Sequence, residues 1–261
     1  MTSTLWLDIE ADAFGISRRH EYEFELSPYQ WSYFTRLDLV IKDLELLLNR
    51  LQEHAPQHEM VICLGHHSNF RYSVFPQYKS NRRGIRKAAG YKSLRDWLQR
   101  NYQTAVLPNT EADDAVGVLH NAENGDLIYS PDKDLKTIAG VHMASNGELS
   151  DVSELEANRA FYKQVLTGDS CDGYGGCPGI GANAKFFSTD KWLKCSEEEQ
   201  FWDLVLWQYD KARKNLYEKF DIVSPSKHAL TMARCARILR RGEYDFDKEQ
   251  PLLWNGPATT E

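Results

Sequence analysis

The stretch EADDAVGVLHNAENGDLIYSPDKD, residues 111–134, decides how this chain is read. Three carboxylates open it, Glu111, Asp113 and Asp114, and two more close it, Asp132 and Asp134. Between them lie a helix-like apolar run, Ala115-Val116-Gly117-Val118-Leu119, and a strand-like run, Leu127-Ile128-Tyr129. Carboxylates brought close together raise one another's pKa unless a cation sits among them. Acids at a helix start and just past a strand end therefore point to divalent metal. Thr110 is the expected N-cap of that helix, with Asp113 in the capping-box position.

Working outward, Leu5-Trp6-Leu7 is a buried-strand pattern that ends in Asp8. Residues 31–51 place apolar side chains at helical spacing, which predicts an amphipathic helix of about five turns. A second strand, residues 60–64, ends at Gly65-His66-His67; a third covers 104–107 and a fourth 126–129. Strands alternating with helices predict an α/β fold with a mostly parallel central sheet flanked by helices. Ligands of such sheets bind beyond the carboxyl ends of the strands. Asp8, His66, Asp132 and Asp134 fall at such ends, and the helix begun by Glu111, Asp113 and Asp114 rises from the same rim.

The texture then changes. TGDSCDGYGGCPGIGANAK, residues 167–185, is glycine-rich. Its core GCPGIG, residues 176–181, reads as a tight turn between short helices with backbone amides open to a phosphate. A plain interhelical turn is the commoner meaning of such a loop. Asp169 and Asp172 are expected one helical turn apart. Residues 192–217 and 228–241 read as helical, and the tail from Pro251 as extended and loosely held.

At 261 residues, 42% apolar and 26% charged, the composition is that of a soluble globular protein. No apolar run approaches membrane-spanning length. The start MTSTLWLDIE lacks the pattern of a signal peptide. Five cysteines without a C-x-x-C pair predict reduced thiols in a cytoplasm. His54 and His58 are separated by Pro56, which breaks a shared helix face. The net charge is −7, yet residues 71–100 carry nine Lys or Arg against Asp96 alone, and residues 211–241 carry nine against Glu218 and Asp221. Two basic blocks in an acidic chain are the footprint of a phosphate-backbone binder, although either block alone reads as a solvated helix face.

Four blocks together resemble the 5′-nucleases: flap endonucleases, the 5′-nuclease domains of bacterial DNA polymerase I and phage 5′→3′ exonucleases. They are PQYKSNRR (76–83), EADDAVG (111–117), SPDKDLKTI (130–138) and GDSCDGYGGCPGIGANA (168–184). MARCARILRRGEYDF (232–246) is similar to the end of the gene-6-type exonucleases of short-tailed coliphages, the nearest likeness. The resemblance implies a PIN-like nuclease core over residues 1–165. That core includes a basic helical arch at 70–100. Residues 166–261 would form a helical DNA-binding region, within one compact unit, with a helix–hairpin–helix turn at 176–181. It implies metal ligation by Asp8, Glu111, Asp113, Asp114, Asp132, Asp134, Asp169 and Asp172, and catalytic phosphate contacts from Lys79 and Arg82. DNA contacts are expected from Tyr78, Arg83, Arg86, Lys87, Gly176, Gly179, Gly181 and Lys185. Where the family has an aspartate after the second strand this chain has His66, or His67 if the alignment slips by one. Neutral imidazole suits softer ions than magnesium, and a histidine at the rim without metal contact is an equal alternative.

The implied activity is sequence-independent 5′→3′ hydrolysis of duplex DNA at 5′ ends, with flaps and the RNA of RNA–DNA hybrids as further substrates. Two Mg²⁺ ions would serve, with Mn²⁺ accepted and K⁺ at the helix–hairpin–helix turn. The host bacterial cytoplasm is the expected setting for a phage protein. Two other readings stand beside it. One is a non-catalytic DNA-end-binding protein on a degenerate nuclease scaffold, motivated by His66. The other is a metal-dependent phosphatase or PIN-type ribonuclease, against which the GCPGIG turn and the basic arch argue.

Overall fold

The computed structural model describes residues 3–220, 222 and 224–257. In chain order the elements are β1 (Thr4–Asp8), α1 (Glu10–Arg19), β2 (Glu21–Ser27), β3 (Gln30–Thr35), α2 (Leu37–His54), β4 (Glu59–Cys63), α3 (Arg71–Val74), α4 (Tyr91–Asn101), β5 (Thr104–Ala105), α5 (Ala112–Leu119), β6 (Leu127–Tyr129), β7 (Gly140–Met143) and β8 (Leu149–Val152). There follow α6 (Glu154–Thr167), α7 (Asp190–Leu193), α8 (Glu198–Lys211), α9 (Arg213–Phe220), α10 (Pro225–Ala236), β9 (Tyr244–Asp245) and β10 (Gln250–Pro251). The chain divides into two units. The first comprises Met1–His67, Gly84–Leu135 and Gly140–Asp151; the second comprises Ser68–Arg83, Lys136–Ala139 and Val152–Glu261. This division does not follow a cut at residue 165, because α6 and residues 68–83 group with the C-terminal helices.

In the first unit a six-stranded sheet runs in the order β5-β4-β1-β6-β7-β8. β1 lies between β4 and β6, parallel to both, with Asp8 opposite Cys63 and Leu7 opposite both Ile62 and Tyr129. The β4–β5 and β6–β7 pairs are parallel as well. Leu5, Leu7, Ile62 and Ile128 are fully buried, as expected for central strands covered on both faces. α2 supplies Val40, Leu44, Leu48 and Leu51, spaced by four, four and three and all without exposure, so a single apolar stripe faces the core. Leu94 and Leu98 of α4 join the same cluster.

Residues 31–35 are not helical. They form β3, paired antiparallel with β2 in a separate two-stranded sheet. The determinant is the alternation Glu21-Tyr22-Glu23-Phe24-Glu25-Leu26, a period of two that favours an extended strand. The reversal runs through Ser27-Pro28-Tyr29-Gln30, with Tyr29 in the left-handed region at φ 69°. Helix therefore starts at Leu37. The cap of α5 also shifts by one residue. Glu111 is the N-cap and Asp114 completes the capping box, while the Thr110 hydroxyl donates to the Leu107 carbonyl at 2.9 Å. Within the expected arch, helix is confined to α3, a 3-10 turn at Ser80–Arg82 and α4; residues 83–90 are irregular.

The second unit is built on aromatic packing. Tyr162 and Phe201 stack with centroids 5.5 Å apart, and Trp192, Tyr209 and Trp254 close around them. Two arginines are structural here. Arg71, 1% exposed, donates from Nε to the Cys235 carbonyl at 3.0 Å and from Nη2 to the Arg237 carbonyl at 2.6 Å, satisfying the end of α10. Arg237 is also buried and pairs with Glu243 at 2.6 Å. The tail is better held than its composition suggests. Trp254 is buried and Arg234 binds its carbonyl at 2.9 Å, whereas residues 258–261 of that tail lie outside the described residues.

Gly90, just ahead of α4, brings its backbone against β3. Its N–H donates to Thr35 Oγ1 at 2.9 Å, and a Cβ at this position would stand 2.5 Å from Thr35 Cγ2. The β-branched Thr35 side chain has little freedom to give way. Gly90→Ala should therefore destabilise the protein by about 1–3 kcal/mol, read from the urea midpoint at unchanged m-value.

Candidate active site

Asp8 ends the central strand of the first unit, and its carboxylate is held on both oxygens. Oδ1 accepts the Glu10 N–H at 3.3 Å and Oδ2 accepts the Ser130 hydroxyl at 3.0 Å. Ser130 Oγ in turn accepts the Asp132 N–H at 3.0 Å, and Asp132 Oδ1 accepts the Asp134 N–H at 2.9 Å. A continuous relay thus joins the end of β1 to the D-x-D after β6, neighbours in the sheet. Burial strips water from Asp8 and pushes its pKa up to about 6. The charges of Glu10 and Asp132 push the same way, and the hydrogen bonds from Glu10 and Ser130 oppose them.

At the helix start, Glu111 and Asp114 satisfy one another's backbone amides, with Asp114 Oδ2 accepting the Glu111 N–H at 3.0 Å. Asp113 Oδ1 accepts the Asp114 N–H at 2.7 Å. Asp114 has no exposure at all, so its carboxylate serves the helix terminus and its dipole. Asp113 and Glu111 are the more accessible members of the triplet. His66 acts on the loop before this helix. Its N–H donates to the Thr110 carbonyl at 2.8 Å, and its Nδ1 accepts the Asn109 N–H at 3.2 Å. Asn109 holds a left-handed φ of 60° there. With Nδ1 as acceptor, a neutral His66 ring carries its proton on Nε2. His67 packs on it with centroids 3.8 Å apart.

Sequence reasoning overlooked Glu10 and Arg95. Glu10 Oε1 accepts the Gly65 N–H at 3.0 Å and pairs with Arg95 Nη1 at 3.0 Å, while Arg95 Nη2 donates to the Gly65 carbonyl. The signal was present as the acid two residues past Asp8. Among the described residues no three His, Cys, Asp or Glu side chains form a preformed metal cage. The rim acids instead spend oxygens on backbone N–H groups, the available means of spreading their charge.

The second unit gathers two of the expected blocks. Gly168 and Gly176 cross backbone to backbone, both at positive φ. A Cβ on Gly176 would lie 2.3 Å from the Gly168 nitrogen, so neither tolerates a side chain. The loop they close is pinned by Asp169 and Tyr174, which exchange N–H···O=C bonds of 2.9 and 3.1 Å. Asp169 and Asp172 therefore sit on a closed turn and not one helical turn apart. Asp172 is enclosed by the PQYKSNRR block: Tyr78 donates its hydroxyl at 2.6 Å, Arg82 Nη2 lies at 2.8 Å and Lys79 Nζ at 3.7 Å. Lys79 adopts φ 52°, and its N–H donates to the Asp172 carbonyl at 2.7 Å.

The expected DNA contacts divide. Tyr78 is buried, with its hydroxyl on Asp172, so it supports the loop. Arg83 donates to the Pro76 carbonyl at 3.0 Å. In the first unit Arg86 pairs with Glu21 at 2.6 Å and lies over the Tyr33 ring at 3.6 Å, and Lys87 Nζ stands 5.1 Å from the Tyr91 ring. At 176–181 no α-helix abuts the turn. α6 ends at Thr167, and Lys185 begins a 3-10 turn. Gly176 is spent on the backbone crossing, while Gly179 and Gly181 have open space where a side chain would stand.

Residues 12–165 match the 5′-3′ exonuclease N-terminal, resolvase-like domain, a span that holds the 111–134 acids but not Asp8, Asp169 or Asp172. The exonuclease of Escherichia phage T7 is 28% identical over 69% of this chain and 68% of its own length. The flap endonuclease Xni of Shewanella oneidensis is 29% identical over 50% of this chain and 56% of its own. Among solved structures, the T5 5′-exonuclease described with bound zinc aligns over 90% of this chain and 93% of its own at a TM-score of 0.53 and 14% identity, a likeness of fold. With more than half of its residues inside the matched domain, the chain belongs to the 5′-3′ exonuclease family and is a 5′→3′ exonuclease.

Proposed function

We propose that this exonuclease is metal-dependent and hydrolyses phosphodiester bonds at the 5′ ends of duplex DNA and at 5′ flaps, with the RNA strand of RNA–DNA hybrids as a further substrate. The observation that carries the reading is Asp8. A carboxylate placed at the end of a buried central strand, beside Glu10 and Asp132, is an anion short of a counter-ion. Asp8, Asp132, Asp134, Glu111 and Asp113 would hold two divalent ions, Mg²⁺ or Mn²⁺. Asp114 would hold the helix start that presents them. Asp169 and Asp172 enter the proposal on their sequence motif. Divalent ions supply an activated water and relieve charge on the scissile phosphate and the leaving oxygen.

The protein's own groups supply the rest. Ser130 orients Asp8, and the relay through Asp132 fixes Asp134. Lys79 and Arg82, held on Asp172, carry the positive charge assigned to phosphate binding. His66 binds the loop ahead of Glu111 and takes no ligand role in this reading. The open backbone at Gly179 and Gly181 suits a duplex phosphate, with K⁺ as its companion ion, and Lys185 adds charge nearby in sequence. The names of the relatives, an exonuclease and a flap endonuclease, support chain ends and flaps as substrates.

Asp134→Ala should lower Mg²⁺-supported release of nucleotides from a 5′-labelled duplex by roughly 10²-fold or more while leaving the Kd for DNA in EDTA unchanged; undiminished turnover would remove Asp134 from the site. The same assay on a 5′-flap and on an RNA–DNA hybrid reads the substrate range.

Asp8 also makes a stability prediction. Its folded pKa is raised, so its contribution is fully present below the ordinary carboxylate pKa and is lost as pH rises through about 6. In EDTA, Asp8→Asn should match the wild type near pH 4 and exceed it by about 1–3 kcal/mol at pH 7.5. Adding Mn²⁺ at pH 7.5 should raise the wild-type Tm and leave that of the variant unmoved.

A further inference from the structure

The exit of β4 lacks an acid: residues 60–95 contain no Asp or Glu. We propose that Glu10 supplies the carboxylate missing from this edge of the site, with Arg95 as its positioning residue. The inference rests on the metal-dependent reading above and adds a ligand that the sequence motifs do not contain.

Three observations converge on it. First, Asp8 and Cys63 stand opposite each other in the parallel β1–β4 pair, so Glu10 and Gly65 leave the sheet side by side, each two residues further on. Second, Glu10 is anchored through one oxygen only. Oε1 takes both the Gly65 N–H and Arg95 Nη1, at 3.0 Å each, and neither contact uses Oε2. Arg95 spans Glu10 and the Gly65 carbonyl at once, a fork that fixes the carboxylate as a single lysine charge would not. The side chain remains 34% exposed, so the carboxylate is within reach of solvent while Oε1 is held.

Third, Gly65 leaves the space that Glu10 enters. A Cβ on Gly65 would lie 3.5 Å from Glu10 Oε1 and 3.5 Å from the Glu111 Cα, ordinary contact distances. A carboxylate borne by residue 65 would thus occupy the region where Glu10 now stands, beside the acid start of α5. His66, one residue later, is committed to the 108–110 loop through Asn109 and Thr110.

The test is a Mn²⁺ titration of the full chain by calorimetry or EPR, comparing wild type, Asp8→Asn, Glu10→Gln and the double variant Glu10→Gln with Gly65→Asp. Thermal unfolding in EDTA reports the fold of each. Glu10→Gln is nearly isosteric and keeps an acceptor for Gly65. It should weaken Mn²⁺ binding by about tenfold or more, and Gly65→Asp should restore most of that loss. If Asp8→Asn weakens binding and Glu10→Gln does not, Glu10 is a structural partner of Arg95 and the inference is overturned while the metal reading stands. If Asp8→Asn leaves binding unchanged, the metal reading fails and takes this inference with it. A folded double variant that binds no better than Glu10→Gln overturns the shared placement of positions 10 and 65.

Discussion

A buried strand that ends in a charge sets the terms for the first unit. β1 is central in its sheet, and covering one of its faces drives Leu5 and Leu7 out of water entirely, while Trp6 and Asp8 on the other are half-buried. The same enclosure reaches Asp8 at its end, where it acts against the carboxylate. Everything nearby reads as a response to that conflict: the Ser130 hydroxyl, the Glu10 amide, and the passing of hydrogen bonds down to Asp132 and Asp134. Stability alone would have placed an apolar residue at this position. Retaining an acid there costs the fold something in the absence of a cation, the usual mark of a functional site.

The parallel sheet was legible because its strands are short apolar runs with no competing pattern. β1, β4, β5 and β6 all fall where Leu5-Trp6-Leu7, residues 60–64, 104–107 and 126–129 place them. The β2–β3 ribbon was not. Trp31, Tyr33 and Phe34 mimic the front of an amphipathic helix when read together with α2. The alternation of glutamates that identifies a strand lies ten residues earlier. The α5 cap moved by one because Glu111 and Asp114 satisfy each other, whereas Thr110 found a carbonyl of its own. Single-residue competition of this kind is decided by tertiary surroundings.

Charge blocks proved the least faithful guide. Counting Lys and Arg over 71–100 and 211–241 treats each as a solvent-facing group. Arg71 and Arg237 are buried on carbonyls and carboxylates, Arg86 and Arg95 are tied to Glu21 and Glu10, and Arg82 is tied to Asp172. A guanidinium serves as well for fastening loops as for gripping phosphate, and sequence does not distinguish the uses. The acids from 8 to 134 lie at strand ends and a helix start because topology puts them there. Glu10 escaped notice because its meaning depends on Gly65, fifty-five residues away.

Arg71 has a consequence for how the chain comes into being. Its guanidinium is satisfied by the carbonyls of Cys235 and Arg237, 164 and 166 residues further on. During synthesis the amino-terminal part emerges first. Arg71 cannot reach its native burial until α10 and the residues just after it have left the ribosome. An Arg71 buried earlier would be a charge without acceptors. Nascent chains thus cannot pack residues 68–83 before residues 235–237 have been made, so the fold of the second unit closes late along the sequence.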